Sequence, residues 1–155
     1  MSSLTEAVRS MLVPTHRTTI ITRLRISFFL TKSYSSEIGH LVNEAVENGM
    51  VKDIELTSGV ERIPGDVSDE EMVKHANGVN SFLGNHPNIS CCLTRLLLYN
   101  ATFAESDLHN LIANICTELR YPYLYQCDTG FDSIFKIDAP NSKLSVLEFA
   151  HCSFA

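Results

Sequence analysis

Apolar residues recur along this chain in two alternating rhythms. In LTRLLLYNA (93–101) they occupy the first, fourth and sixth places of a nine-residue frame. LRYPYLYQC (119–127) and LSVLEFAHC (144–152) fit the same frame, and the three units start 26 and then 25 residues apart. Upstream, ITRLRISFF (21–29) and VKDIELTSG (51–59) fit it too, with longer intervals of 30 (21 to 51) and 42 (51 to 93) residues. Each unit reads as a strand with one apolar face. Places 1, 4 and 6 are expected to point inward, and places 3, 5, 7 and 8 outward.

Between the strands the rhythm changes to that of amphipathic helices. Residues 36–48 carry Ile38, Leu41, Val42, Ala45 and Val46 at helical spacing, with Gly49 placed to cap the C-terminal end. Residues 106–118 carry Leu108, Leu111, Ile112, Ile115 and Cys116, with Ser106 or Asp107 available as N-cap. Ser68-Asp-Glu-Glu71 is a capping box ahead of Met72, Val73, Ala76, Val79, Phe82 and Leu83. His86-Pro87-Asn88 should end that helix and lead into the next strand. Residues 5–12 predict a helix ahead of the first strand. Over 128–143, Gly130, Pro140 and the alternation at 134–137 favour a short strand and a turn. A strand and helix of this size cannot bury an apolar face alone, so neighbouring units must stack and share one core. The pattern therefore predicts an α/β solenoid of about five irregular repeats, with parallel strands on the concave side and helices on the convex side.

Charge tests the register of that frame. Residues 1–32 hold five basic side chains against one acid, Glu6, whereas residues 33–71 hold ten acids against Lys52 and Arg62. If the first two units stack in frame, Arg23 lies beside Asp53 and Arg25 beside Glu55, two opposite-charge neighbours at strand spacing. The basic start is then one side of a set of ion pairs, not a targeting segment.

Composition narrows the function classes. A length of 155 residues, 45% hydrophobic and 19% charged, suits one globular domain over 1–155. A net charge of −6 speaks against nucleic-acid phosphates as a partner. The most apolar stretch, 20–30, is interrupted by Arg23 and Arg25, so no membrane span is expected. Five cysteines without a C-x-x-C pair, and no secretory signal, point to reduced thiols in the cytoplasm or nucleus.

The segments 41–57, 93–111 and 134–154 resemble the leucine-rich-repeat region of plant F-box proteins, especially the large grass F-box/LRR family. KIDAPNSKL ahead of the last unit is the most specific of these matches. The resemblance covers about residues 20–155. It implies a curved leucine-rich-repeat solenoid that binds a target protein for a Skp–cullin–F-box ubiquitin ligase. The chain departs from the family in three ways. It contains no F-box; the ninth repeat place keeps its usual residue type only at Cys127 and Cys152; and Pro122 stands where an inward Leu is expected. A fragment or truncated member of the family is the expectation, one that does not dock a Skp adaptor by itself.

Candidate chemistry is sparse. Cys91 and Cys92 near His86 are the materials of a cysteine hydrolase, but no nucleophile elbow surrounds them. His151 and Cys152 are adjacent on a strand and face opposite ways, which does not make a zinc site. No glycine-rich phosphate loop occurs, and neither cofactor nor metal is expected. The outward places are more informative. They collect Tyr121, Tyr123 and Tyr125 with Gln126 from the fourth unit, and Arg95, Leu97, Tyr99 and Asn100 from the third. Tyrosine and arginine concentrate where proteins bind one another. Tyr99, Tyr121, Tyr123 and Tyr125, bordered by Arg95 and Asn100, are therefore the expected partner-binding residues. The function expected is protein recognition without catalysis. The alternatives are a truncated product detached from the ligase and, more remotely, a cysteine hydrolase.

Overall fold

The computed structural model describes residues 3–13, 19–30, 33–62, 66–130 and 136–153. Ten elements follow one another: α1 (Leu4–Leu12), β1 (Leu24–Ser27), α2 (Tyr34–Glu47), β2 (Ile54–Ser58), α3 (Asp69–Asn85), α4 (Pro87–Cys92), β3 (Leu93–Thr102), α5 (Glu105–Asn110), β4 (Tyr121–Asp128) and β5 (Glu148–Ala150). The fold is mixed α/β. Its five strands form one sheet in the order β1-β2-β3-β4-β5, and every pairing is parallel. Right-handed crossovers between strands that advance always in one direction must all pass on the same side of the sheet. One face is covered and the other stays open.

The core lies under the covered face. Ile54, Leu56, Leu93, Leu96, Leu98, Leu119 and Leu124 point into it from the sheet, and Ile38, Leu41, Val42, Val79, Leu83, Leu108 and Ile112 meet them from the helices. The inward places of the frame are thus core across the middle of the sheet. At its last strand they are not, since Phe149 is 43% exposed and no described element lies beyond β5 to cover it.

Local chemistry fixes the helix ends. Ser3 with Glu6 and Ser68 with Glu71 form complete capping boxes at α1 and α3. Hydrogen bonds from the Ser68 backbone and hydroxyl hold the Glu71 carboxyl below its usual range. Gly49 closes α2 with φ 72°, and the N–H groups of Gly49 and Met50 return to the carbonyls of Val46 and Ala45, both at 2.9 Å.

Three expectations are corrected here. His86-Pro87-Asn88 does not lead directly into a strand: Pro87 opens a further short helix, α4, whose first N–H groups at Asn88 and Ile89 are met by Asn43 Oδ1 from α2 at 3.0 and 3.4 Å. Neither Ser106 nor Asp107 caps α5. The helix starts one residue earlier, after Ala104, and passes at Leu111–Ile115 into a π-helical turn closed by Cys116 N–H on the Leu111 carbonyl at 3.0 Å. The first half of the strand expected at 134–137 lies outside the described residues, and the second half, Lys136 and Ile137, is not in a strand. The turn at Pro140 is present, with Ser142 N–H on the Ala139 carbonyl at 3.0 Å.

Charge pairing across β1 and β2 is as the frame requires. Arg23 reaches Asp53 at 3.2 Å and Arg25 reaches Glu55 at 2.6 Å, with Leu24 opposite Ile54 and Ile21 opposite Val51. Between β2 and β3 the frame slips. Leu56 lies opposite Leu96 and Thr57 opposite Leu97, two residues from the expected partners, and the register shifts between Ile54 and Glu55. A slip of two preserves which face each side chain takes, whereas a slip of one would exchange core and solvent. From β3 to β5 the frame holds again, with Tyr99 opposite Tyr125 and Tyr123 opposite Glu148.

A buried histidine ties α3 to two strands. His75 is fully buried; its Nε2 accepts from the Ser58 hydroxyl at 2.9 Å, and its Nδ1–H donates to the Asn100 carbonyl at 3.1 Å. Burial pushes the imidazole below its ordinary value, so the folded ring stays neutral when the unfolded one is protonated. Below about pH 6.5 the unfolded chain then binds a proton that the folded chain refuses, and stability falls with pH by up to ~1.4 kcal/mol per unit until the folded-state pKa is reached. Urea melts at pH 7.5, 6.5 and 5.5 should show this slope in the native chain. His75→Gln should be less stable at pH 7.5 and should lack that part of the slope.

Candidate protein-binding face

The open face of the sheet carries two chemically different regions. Toward β1 it is charged: Arg23, Arg25, Asp53 and Glu55 pair among themselves, with Arg23 also 3.4 Å from Glu55. Asp53 additionally accepts from the Thr94 hydroxyl at the start of β3. Toward β5 the face is aromatic, because β3 and β4 place tyrosines at alternate positions of adjacent strands.

Parallel register brings those rings together. Tyr99 lies 6.1 Å from Tyr123 and 5.7 Å from Tyr125, centroid to centroid, and Tyr125 meets the ring of His151 edge-on at 5.3 Å. The Arg95 guanidinium stands 6.0 Å from the ring centre of Tyr121, within reach of a cation–π contact. Tyr121 and Arg95 are exposed, whereas Tyr99, Tyr123 and Tyr125 are half-buried by one another. Desolvation by these neighbours, with Tyr99, Tyr125 and Glu148 adding to it, pushes the Tyr123 phenol above its ordinary value, so it offers a neutral hydroxyl at physiological pH. Gly59 permits this arrangement: a Cβ there would come within 3.3 Å of the Tyr99 Cβ. Beside Tyr99 a recess of about 330 Å³ opens toward Phe29 and Arg62.

Asn100 does not belong to this surface. It is buried, with φ 56°, and its carbonyl faces His75. Its place in the frame, the eighth, has the strand parity of Leu96 and Leu98, so alternation carries its side chain inward with theirs, and the same place is buried at Phe28 and Ser58. Gln126 and His151, at that place in the next two units, also have positive φ, 49° and 53°. The nearly equal spacing of Asn100, Gln126 and His151 was the available signal that His151 sits beside the tyrosines. His75 was missed although it lies on the apolar face of α3 with Ala76, Val79 and Leu83, because its partners Ser58 and Asn100 come from distant strands.

The cysteines sit in different surroundings. Cys127 Sγ approaches the carbonyls of Leu98 and Tyr125 at 3.7 and 3.5 Å, and Cys152 Sγ those of Leu124 and Ala150 at 3.2 and 3.5 Å. The adjacent Cys152 thiol and burial push Cys127 far up, and burial pushes Cys116 up to about 12. Cys92 is also raised by burial, while the nearby His86 spends its Nδ1 on the Phe82 carbonyl at 2.7 Å and stacks on the Phe82 ring. Its imidazole is thus committed to α3 and not to a cysteine. Among the described residues no cluster of three or more His, Cys, Asp and Glu side chains is arranged to hold a metal, and no helix is long and apolar enough to cross a membrane.

Thiol accessibility checks this layout. Under native conditions a maleimide should label the exposed Cys91, and Cys116 and Cys127 should become available only on unfolding. Mass spectrometry of digests before and after denaturation would show it; native labelling of Cys116 would contradict the packing under α5. Comparison with protein-family models, curated proteins and solved structures finds no match to this chain.

Proposed function

We propose that this chain is a protein-recognition module built as a leucine-rich-repeat solenoid, and that the open face of its sheet binds a target protein. The observation that carries the reading is the cluster of Tyr99, Tyr123 and Tyr125 with His151 on a face that no described helix covers. Stacked tyrosines offer large contact area at low rotamer cost, with hydroxyls at the rim for hydrogen bonds.

Three repeated features favour the solenoid. Strands are paired strictly in sequence order. The eighth place turns left-handed at Asn100, Gln126 and His151. The ninth place sets a thiol against the preceding strand's carbonyl twice in the same way, Cys127 on Leu98 and Cys152 on Leu124. On the resemblance to F-box/LRR receptors, the bound protein would be a ubiquitin-ligase target, and no Skp docking is expected of this chain by itself.

A displayed random peptide library selected on the immobilised chain tests the reading. Tyr123→Ala and Tyr125→Ala should each weaken the selected peptides by about 1–3 kcal/mol without lowering the melting temperature. Asn77→Ala, on the exposed side of α3, should change neither. Peptides that bind both tyrosine variants normally would show that recognition takes place elsewhere.

A further inference from the structure

Beside the aromatic cluster lies a recess of about 220 Å³, lined among others by Val67, Met72, Gln126, Asp128, His151 and Ser153. One of its lining residues carries an orphaned atom. Gln126 Oε1 is buried and, among the described residues, accepts no hydrogen bond, and it belongs to a residue already held in the left-handed region at φ 49°. Buried acceptors without donors are rare, because folding removes their water without replacing it. An unsatisfied acceptor on a strained residue at the wall of a recess marks a place adapted to something that supplies a donor.

The lining says what kind of donor. Asp128 brings a carboxylate, of which Oδ1 is engaged by the Gly130 N–H at 3.2 Å. Val67 and Met72 give an apolar wall, and His151 connects the recess to Tyr125 ring to ring. Among the described residues no lysine or arginine lines it. Acceptors, an anion, an apolar wall and π faces together suit a long apolar stem ending in a cation with several donors and no acceptor. The whole chain, at −6, attracts such a partner over distance.

We propose that this recess is a subsite for a basic side chain, arginine or lysine, of the protein bound on the tyrosine face. The inference rests on the protein-recognition reading and names the chemistry that reading requires at one end of the face. The guanidinium or ammonium group pairs with the Asp128 carboxylate and donates to Gln126 Oε1. Because that oxygen has no present partner, turning it into the recess breaks no hydrogen bond.

The test is an NMR titration of the full chain with N-acetyl-arginine amide and N-acetyl-lysine amide, against N-acetyl-glutamine amide and N-acetyl-glutamate amide. The basic probes should move the Gln126 side-chain amide and His151 ring signals saturably, and the neutral and acidic probes should not. Asp128→Asn should weaken the basic probes by about tenfold. Gln126→Met should also weaken them and, by removing the orphaned acceptor, should keep or raise the melting temperature, which separates lost binding from lost folding. Equal response to the glutamine probe, or indifference to Asp128→Asn, would overturn the subsite. So would a Gln126 amide that exchanges with water alone and ignores every probe. Selected peptides that depend on Tyr123 but lack basic residues would overturn the subsite and leave the wider reading standing. Basic probes that bind a chain selecting no peptide would overturn the wider reading, and the partner's side chain with it.

Discussion

Each strand pairs only with its neighbours in sequence, always in parallel, and the rest of the molecule depends on that rule. Parallel neighbours need a crossover every time, and crossovers of one hand that never reverse direction collect on one side. Among the described residues helices therefore cover one face from β1 to β4, and the inward leucines and isoleucines of the central strands lie at or near zero exposure. Among the described residues no element lies over the other face. An exposed sheet surface is a direct product of the topology, and the side chains that alternate onto it are free to serve recognition without weakening the core.

The same rule explains why the structure tolerates a register slip between β2 and β3. Their connection carries two helices, α3 and α4, where the neighbouring crossovers are shorter. The pairing shifts at Ile54/Glu55, and from Glu55 to Ser58 the two-residue offset keeps each side chain on its own face. Asp53, Arg23 and Thr94 still interlock across three strands at the entrance to the sheet. At the opposite end, His75 joins the Ser58 hydroxyl to the Asn100 carbonyl. Polar contacts thus fix both margins of β2 against β3, and apolar packing fills the middle.

Much of this was legible in the sequence. Apolar periodicity located all five strands and the longer helices, and the ion pairs Arg23–Asp53 and Arg25–Glu55 follow from the frame alone, because parallel register makes equal places neighbours. The tyrosine face was legible for the same reason. What the frame could not show is conformational or distant. The frame set Asn100 outward, yet it shares the parity of the inward Leu96 and Leu98 and is buried with them, while its left-handed φ is marked by nothing but its spacing from Gln126 and His151. Helix α4 is short, and its N-terminus is satisfied by Asn43, some forty-five residues earlier in the chain. The orphaned state of Gln126 Oε1 is a property of its surroundings, invisible in a residue type that is usually solvated.

On the proposed reading, the two ends of the open face contribute unequally to binding. At the β1–β2 end, arginines and carboxylates already satisfy one another. A partner docking there would have to desolvate or separate pairs that are stable in water, and exposed pairs of this kind yield little net energy in exchange. The β3–β5 end differs in every respect. Its rings lose water readily, and beside them lies an acceptor without a donor among the described residues. A donor supplied there relieves a cost already carried by the free chain. Affinity should therefore concentrate on the tyrosines and the recess next to them, while the charged end orients an approaching partner and excludes those of the wrong charge pattern.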